Sequence, residues 1–422
     1  MNMIKLGSVA DVKISGVDKK SNPGERTIRL CNYTDVYYNW AITKEMYDAL
    51  MVASAKSAEI DEFTIGKGMV AITKDSETRE DIGHPVYVAD DFEDVLLGYH
   101  CALIKPHKGE LDGRFLNAAL HTSYAARYFA NNSAGSGQRY YLNEDAIKRL
   151  SIYLPLFKQQ TMIGQLWSNI DRKICLNRKK IEKLEALAKT IYDYWFVQFD
   201  FPDANGRPYK SSGGKMVWNE HLKCEVPAGW KVALLSSLCS ISTKQCAPSK
   251  IDCNLLEHYS IPAFDEGVYP SFDPPSAILS NKFVVPNGGI LYSKLNAQFK
   301  RIWDPLHLTD LPIASSEFVI YVPHDLKLRG FVYATLNDER FYKFANSISS
   351  CSTGSRKRFT PETTCRFHVA IPNGNGIVEQ FSKLFSDILS SIRKCRVEGV
   401  VLRKARDFLL PLLMNGQVEV GV

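Results

Sequence analysis

Two stretches of the chain carry apolar residues at helical spacing over lengths that no small domain needs to close its own core. In the first, Leu154 to Asp200, the residues Ile163, Leu166, Ile170, Ile174, Ile181, Leu184, Ala188, Ile191 and Trp195 fall on one stripe. Their steps alternate between three and four, with a slip around Ile174 and Asn177, which predicts a long helix with a coiled-coil seam. From Lys158 to Trp195 such a helix would span roughly 55 Å. The second stretch follows the breaker Pro372-Asn373-Gly374-Asn375-Gly376 and repeats the seam at Ile377, Phe381, Leu384, Ile388, Ile392, Cys395, Leu402, Ala405 and Leu409. It is expected to stop at Pro411, with Asn415-Gly416 just beyond. Each helix needs cover for an apolar face. The simplest cover is the other helix, in an antiparallel, intramolecular pair.

The segments between these helices have the shorter rhythm of strands. Residues 1–153 carry strand-like runs at Thr27–Leu30, Met69–Thr73, Pro85–Val88, His100–Ile104 and Ser151–Leu154, and one helical stretch, Leu111–Phe129. Residues 227–372 carry strand candidates at Lys231–Ile241, His258–Ala263, Ile290–Lys294, Glu317–Val322 and Arg366–Ile371, with a helix over Leu326–Ala345. Between the first helix and the second globule lies a linker, residues 201–226, in which Pro202–Gly214 has the polar composition of a flexible tether. The boundaries expected are therefore 1–153, helix 154–200, linker 201–226, 227–372 and helix 373–418.

The two halves repeat one another. Ala71-Ile72-Thr73-Lys74 has its counterpart in Leu291-Tyr292-Ser293-Lys294, and Phe129-Ala130-Asn131 in Phe344-Ala345-Asn346. Each of the latter precedes a Ser/Gly-rich basic loop, Ser133–Arg139 or Ser352–Arg358, and then a last strand and a long helix. The offset is about 215 to 220 residues throughout, the mark of a tandem duplication.

No catalytic signature interrupts this pattern. The chain lacks a phosphate-binding G-x-x-x-x-G-K-[ST] loop, a dinucleotide G-x-G-x-x-G, a G-x-S-x-G elbow and H-E-x-x-H. Asp273-Pro-Pro-Ser276 resembles the tetrad of amino methyltransferases but has no aromatic to stack on a flipped base, so it reads as a turn. Pro202-Asp203 starts no nuclease motif. Ten cysteines form no C-x-x-C pair, and the seven-residue spacing of Cys239, Cys246 and Cys253 is not a zinc pattern. They fit reduced thiols and a cytoplasmic location. No segment approaches 18 unbroken apolar residues, and the N-terminus lacks the layout of a signal peptide.

What remains is a set of turns bearing amide, hydroxyl, aromatic and basic side chains, in a chain of net charge +6. A mild positive charge permits a polyanionic partner without requiring one. The candidates are Tyr33 and Thr34; Lys74, Ser76 and Arg79; Ser136, Gln138 and Arg139; Lys294, Asn296 and Lys300; and Ser355, Arg356 and Arg358. Arg and Lys neutralise phosphate, while Asn, Gln and Arg can pair with base edges.

The helix from Leu154 to Trp195 reads Leu-Pro-Leu-x-x-Gln-Gln, then Ile-Asp-Arg-Lys-Ile-x-Leu-Asn-Arg-Lys, Leu-Glu-Ala-Leu-Ala-Lys and Trp-Phe-Val-x-Phe-Asp. This resembles the central spacer of the DNA-specificity subunits of type I restriction–modification systems. RLCNYTDVYYN, ITKDSETREDIG, GYHCALIKP, YSIPAFDEGVYP and the closing LRKARDFLLPLLMNGQV are similar to that family too, so the resemblance covers nearly the whole chain. It implies an α+β fold: two mixed α/β target-recognition domains in tandem, separated by two long helices forming an antiparallel intramolecular coiled coil. It also implies that each domain reads half of a bipartite double-stranded DNA target. The subunit would hold no cofactor; two methyltransferase subunits would bring S-adenosylmethionine, and restriction/translocase subunits would use ATP and Mg²⁺. The alternatives are a coiled-coil scaffold that binds no nucleic acid, the specificity subunit of a methylation-only defence system, and a cryptic DNA-modifying enzyme.

Overall fold

In the computed structural model the described residues are 3–351, 357–414 and 416–418. The chain forms two compact units, Met1–Cys175 with Val400–Val422, and Leu176–Gly399.

The first unit is built on a five-stranded sheet in the order Ala10–Ile14, Cys101–Pro106, Val70–Thr73, Pro85–Val88, Ala41–Ile42. Its pairings are antiparallel except for the short edge strand Ala41–Ile42, which runs parallel to Pro85–Val88. Val70–Thr73 and Pro85–Val88 are buried at every position, because both faces of the sheet are covered. Alternate residues therefore enter different cores. Val70, Ile72, Ala102 and Ile104 pack with Phe115, Leu116 and Phe129 of the helices. Ala71, Val86, Val88 and Leu103 pack with Cys31, Val36 and Leu50 on the opposite side. The helical stretch expected over Leu111–Phe129 is two helices, Gly113–Leu120 and Ser123–Asn132. Thr122 divides them, since its hydroxyl accepts from the Ala125 N–H and caps the second.

The second unit repeats the arrangement. Cys239–Ser242, Phe318–Pro323, Ile290–Ser293 and Ile302–Trp303 form a sheet in the same order as the first four strands above. The expected helix Leu326–Ala345 is again divided, into a 3₁₀ turn, Leu326–Leu328, and helices Arg329–Asn337 and Glu339–Ser347. Here Asp338 supplies the cap, accepting from the Arg340 N–H at 2.6 Å. Two strand expectations are corrected. Lys231–Ile241 is interrupted by a 3₁₀ turn at Leu235–Ser237, and His258–Ala263 ends at Tyr259, where Ser260 caps the helix Ile261–Gly267. Asp273 ends a strand ahead of a 3₁₀ turn, Pro275–Ala277, as its paired prolines led one to expect.

The secondary sheets differ. The first unit adds three strands, Met51–Ala55, Arg26–Cys31 and Val95–Leu97; the second adds five, including Gln245–Cys246, Lys282–Val284 and Leu256–Tyr259. The duplicated part is the sheet-and-helix core, and the variable part is what surrounds it.

Both long helices form, as Phe157–Tyr192 and Gly376–Met414. The first ends in a π-helical turn, Asp193–Val197. The second does not stop at Pro411. Proline removes one backbone bond there, but Leu413 and Met414 are buried in the first unit's core and hold the extra turn. The pairing is antiparallel: within the second unit, Asn177 bonds Glu398 at 2.8 Å and Glu185 bonds Arg396 at 2.7 Å.

The buried stripe is not quite the expected seam. Ile163, Phe381, Ile388, Ile392 and Cys395 are buried, and Ile170, Ile181, Leu184, Ile191, Trp195, Leu402 and Leu409 are half-buried. Leu166 and Leu384, at 36% and 41% exposed, face solvent, while Trp167, Tyr192 and Phe196 are buried in their place. Each helix packs on a globule as well as on its partner, and the globule rotates the covered face by about one position. The expected flexible linker is also folded. Asp200 accepts from the Ser211 N–H and hydroxyl, Phe201 stacks on Tyr209 and Trp230, and Met216–Asn219 pairs with Cys224–Pro227 as a hairpin.

Candidate nucleic-acid interface

In the first unit, segments 64 to 66 residues apart in sequence meet on one small sheet. Asp75–Ser76, leaving the central strand, pairs with Arg139–Tyr141, which pairs with Ala134–Ser136. Lys74, Ser76, Arg79, Ser136, Gln138 and Arg139 are thereby brought together. The hairpin depends on glycine. Gly135 has φ +105°, and a Cβ there would lie 2.2 Å from the Arg139 carbonyl oxygen; Gly137, at φ +75°, closes the turn. Ser136, Gln138 and Arg139 are exposed on it.

The loop that faces this hairpin is pinned at both ends. At its start, the Lys74 ammonium lies 2.8 Å from the Asp75 carboxylate, which also bonds His100 Nδ1 at 2.7 Å. At its end, Asp81 accepts from the Tyr37 hydroxyl and bonds His84 Nε2, each at 2.8 Å. Arg79, between them, is exposed and lies 5.2 Å over the Tyr140 ring. Tyr33 and Thr34 open the helix Tyr33–Tyr38, where Tyr33 stacks on Tyr37 at 5.6 Å and Thr34 is exposed. Burial pushes the Tyr33 phenol up to about 12, so it stays neutral. The surface therefore offers guanidinium, amide and hydroxyl donors beside aromatic faces. Lys74 differs from Arg79 and Arg139: its charge is already opposed by Asp75.

The second unit closes its loop in the same way. Leu295 bridges Arg358, and the Asn296 N–H donates to the Lys357 carbonyl at 2.8 Å, so the start of the loop, Leu295 and Asn296, lies along the strand Lys357–Arg358. Asn296 sits at φ +51° and Lys294 is half-buried. Lys300 donates to the Asn337 carbonyl at the end of a helix, and burial lowers its pKa. Arg358 forms a two-pronged pair with Glu317, at 2.8 and 3.0 Å. Ser355 and Arg356 lie outside the described residues.

Sequence reasoning missed His84, Tyr140 and His100, which buttress these loops, and gave no separate role to Tyr37, in the run Tyr33–Tyr38, or to Phe299, which stands 55% exposed beside Arg301. The aromatic run Tyr33–Tyr38 was the available signal for the first group. Among the described residues no group of three His, Cys, Asp or Glu side chains could hold a metal ion, and no helix is long and apolar enough to cross a membrane.

Comparison with known proteins finds a family, two relatives and a fold. Residues 1–186 match the family described as type I restriction modification DNA specificity domain. The chain is 22% identical over 314 residues to the type I restriction enzyme MjaIX specificity subunit of Methanocaldococcus jannaschii, covering 72% of this chain and 69% of that protein. It is 22% identical over 404 residues to the type I restriction enzyme HindI specificity subunit of Haemophilus influenzae, covering 81% and 85%. A crystal structure of a type I restriction–modification S subunit from M. genitalium superposes with a TM-score of 0.63 at 14% identity, over 98% of this chain and 96% of that one, which gives the same fold.

Proposed function

We propose that this chain is a specificity subunit of a type I restriction–modification system, and that its two units read the two halves of a divided double-stranded DNA target. The observation that carries this reading is the repeated head. In each unit the segment that leaves the central strand pairs with a short strand, Arg139–Tyr141 in the first and Lys357–Arg358 in the second, on a common core whose secondary sheet differs between units. A common core with different surroundings suits two unlike half-sites.

In the first unit Arg79, Gln138 and Arg139 face the DNA, with Ser76, Ser136, Tyr33 and Thr34 beside them; in the second, Lys294 and Asn296 do. Arginine and lysine neutralise phosphate and set the register, and amide and guanidinium groups reach base edges. The subunit performs no chemistry. Its partners are DNA and the other subunits of the system. Two methyltransferase subunits, carrying S-adenosylmethionine, dock on the paired helices, and restriction/translocase subunits that use ATP and Mg²⁺ join them, in the cytoplasm.

Long-read mapping of methylated adenines in the source genome, with and without this gene, tests the proposal. The expected result is loss of methylation at one split motif with a fixed unread gap, and exchange of half-sites when the two units are swapped between paralogues. An unchanged pattern, in cells whose methyltransferase is active, overturns it.

A further inference from the structure

We infer that Phe299 is a specificity-determining residue of the second unit, reading the 5-methyl group of a thymine in the major groove. This rests on the DNA-reading role proposed above.

The loop that bears Phe299 is held at every turn. The Asn296 N–H bonds the Lys357 carbonyl, the Phe299 N–H bonds the Asn296 carbonyl at 2.8 Å, and the Tyr342 hydroxyl bonds the Gln298 carbonyl at 3.0 Å. Ala297 is buried, Lys300 is tied to the Asn337 carbonyl, and Arg301 forms a two-pronged pair with Asp265 at 2.7 and 2.8 Å. Those cations are committed. The side chains that the loop leaves exposed are those of Gln298 and Phe299, and the apolar one is the Phe299 ring, 55% exposed. A single exposed phenylalanine is ordinary on a protein surface. This one has a partner: the guanidinium of Arg301, itself bound to Asp265, lies 5.3 Å from its centroid, a contact that favours this placement of the ring.

The duplication places it at a meaningful point. With Lys74 matched to Lys294, Phe299 takes the position of Arg79, which lies over Tyr140 in the first unit. Both units therefore present a cation–ring pair at the same place on the loop, but the exposed partner is inverted. The first offers a guanidinium that donates hydrogen bonds. The second offers a ring that cannot. An apolar ring discriminates apolar features, and the apolar group on a base edge in the major groove is the thymine methyl.

The test uses the complex purified from cells that express this chain with its neighbouring subunits. Once the half-site of the second unit is mapped, each thymine in it is replaced singly by deoxyuridine, which removes only the methyl. Wild-type complex is expected to lose about fourfold in affinity at one such position, the ratio for burying one methyl group. Phe299→Ala is expected to bind both duplexes equally and to melt like wild type, because the ring is exposed. Arg301→Gln, which removes the cation–ring contact, is expected to reduce the same sensitivity without abolishing binding. A half-site without thymine, indifference of wild type to every replacement, or sensitivity retained by Phe299→Ala overturns the inference while leaving DNA reading intact. Absence of salt-dependent DNA binding by the wild-type complex overturns both.

Discussion

Asp171, on the first long helix, lies 2.9 Å from Arg406, on the second, and both belong to the first unit. The carboxylate is almost wholly buried, and the guanidinium also lies 5.7 Å from the Trp167 ring centroid. Burial raises the Asp171 pKa, and Arg406 opposes that rise. Removing the arginine leaves a buried carboxylate unopposed. Arg406→Leu is therefore expected to destabilise the first unit by about 3 kcal/mol at pH 7.5. The sign of the pH effect follows. An acid whose folded pKa lies above its unfolded value binds more protons when folded, so its penalty shrinks as pH falls through that folded value. Melting temperatures of wild type and Arg406→Leu should converge as the buffer is taken from pH 7.5 towards 5; a constant gap would mean that Arg406 acts through packing on Trp167 instead.

Asp304 makes the opposite case in the second unit. It is buried between Arg329, at the start of the helix Arg329–Asn337, and Arg393 on the C-terminal helix, bonding both. Burial alone would raise its pKa, but Arg393 and Arg329 hold the carboxyl below its ordinary value. A depressed folded pKa contributes stability that is fully present above the unfolded pKa and is lost as pH falls through the folded one. Asp304→Asn is expected to lower stability by about 3 kcal/mol at neutral pH, since it leaves two cations unopposed. Denaturant titrations at pH 7 should show that loss, with the deficit narrowing below pH 4.

The antiparallel helix pair was legible from Ile163 to Trp195 and from Phe381 to Leu409, because a stripe at helical spacing must be covered. Its covered face was less so. Periodicity marks that a face is buried but not by what, and the globules take Trp167 and Tyr192 while leaving Leu166 and Leu384 in solvent. The duplication was legible in Ala71–Lys74 and Leu291–Lys294, which are central strands with little freedom to vary. The folded state of residues 201–226 was not, since Asp200 and Ser211 look polar and solvated until they meet each other. Nor could spacing show that Lys300 and Arg358, both basic and both on candidate loops, already have partners at Asn337 and Glu317.

The hairpin of the first unit gives a test of the loop geometry. Gly135→Ala would place a methyl group 2.2 Å from the Arg139 carbonyl oxygen at a backbone angle that alanine disfavours. The hairpin is exposed, so the melting temperature should hardly move. Binding to the half-site of the first unit is expected to fall at least tenfold. Gly137→Ala meets no atom within 4 Å and suffers only the strain of its positive φ, about 1 kcal/mol. Its binding should fall less, and equal losses would show that the hairpin needs flexibility and not the close Gly135–Arg139 approach.

Arg139 and Arg79 differ from Lys300 and Arg358 in a way that binding experiments can separate. The first two are exposed, with Arg79 set only on the Tyr140 ring, and neither forms an ion pair among the described residues. If they neutralise phosphates, alanine at each should weaken binding to all sequences and lower the slope of log affinity against log salt by about one. Lys300 donates into the Asn337 carbonyl and Arg358 pairs with Glu317, so alanine there should lower the melting temperature of the second unit and leave the salt slope unchanged. Fluorescence anisotropy on one duplex between 50 and 200 mM salt, beside thermal melts of each variant, supplies both readouts. A full unit lost from the slope in Lys300→Ala would mean that DNA draws the ammonium away from Asn337, which places the end of the helix Arg329–Asn337 at the phosphate backbone.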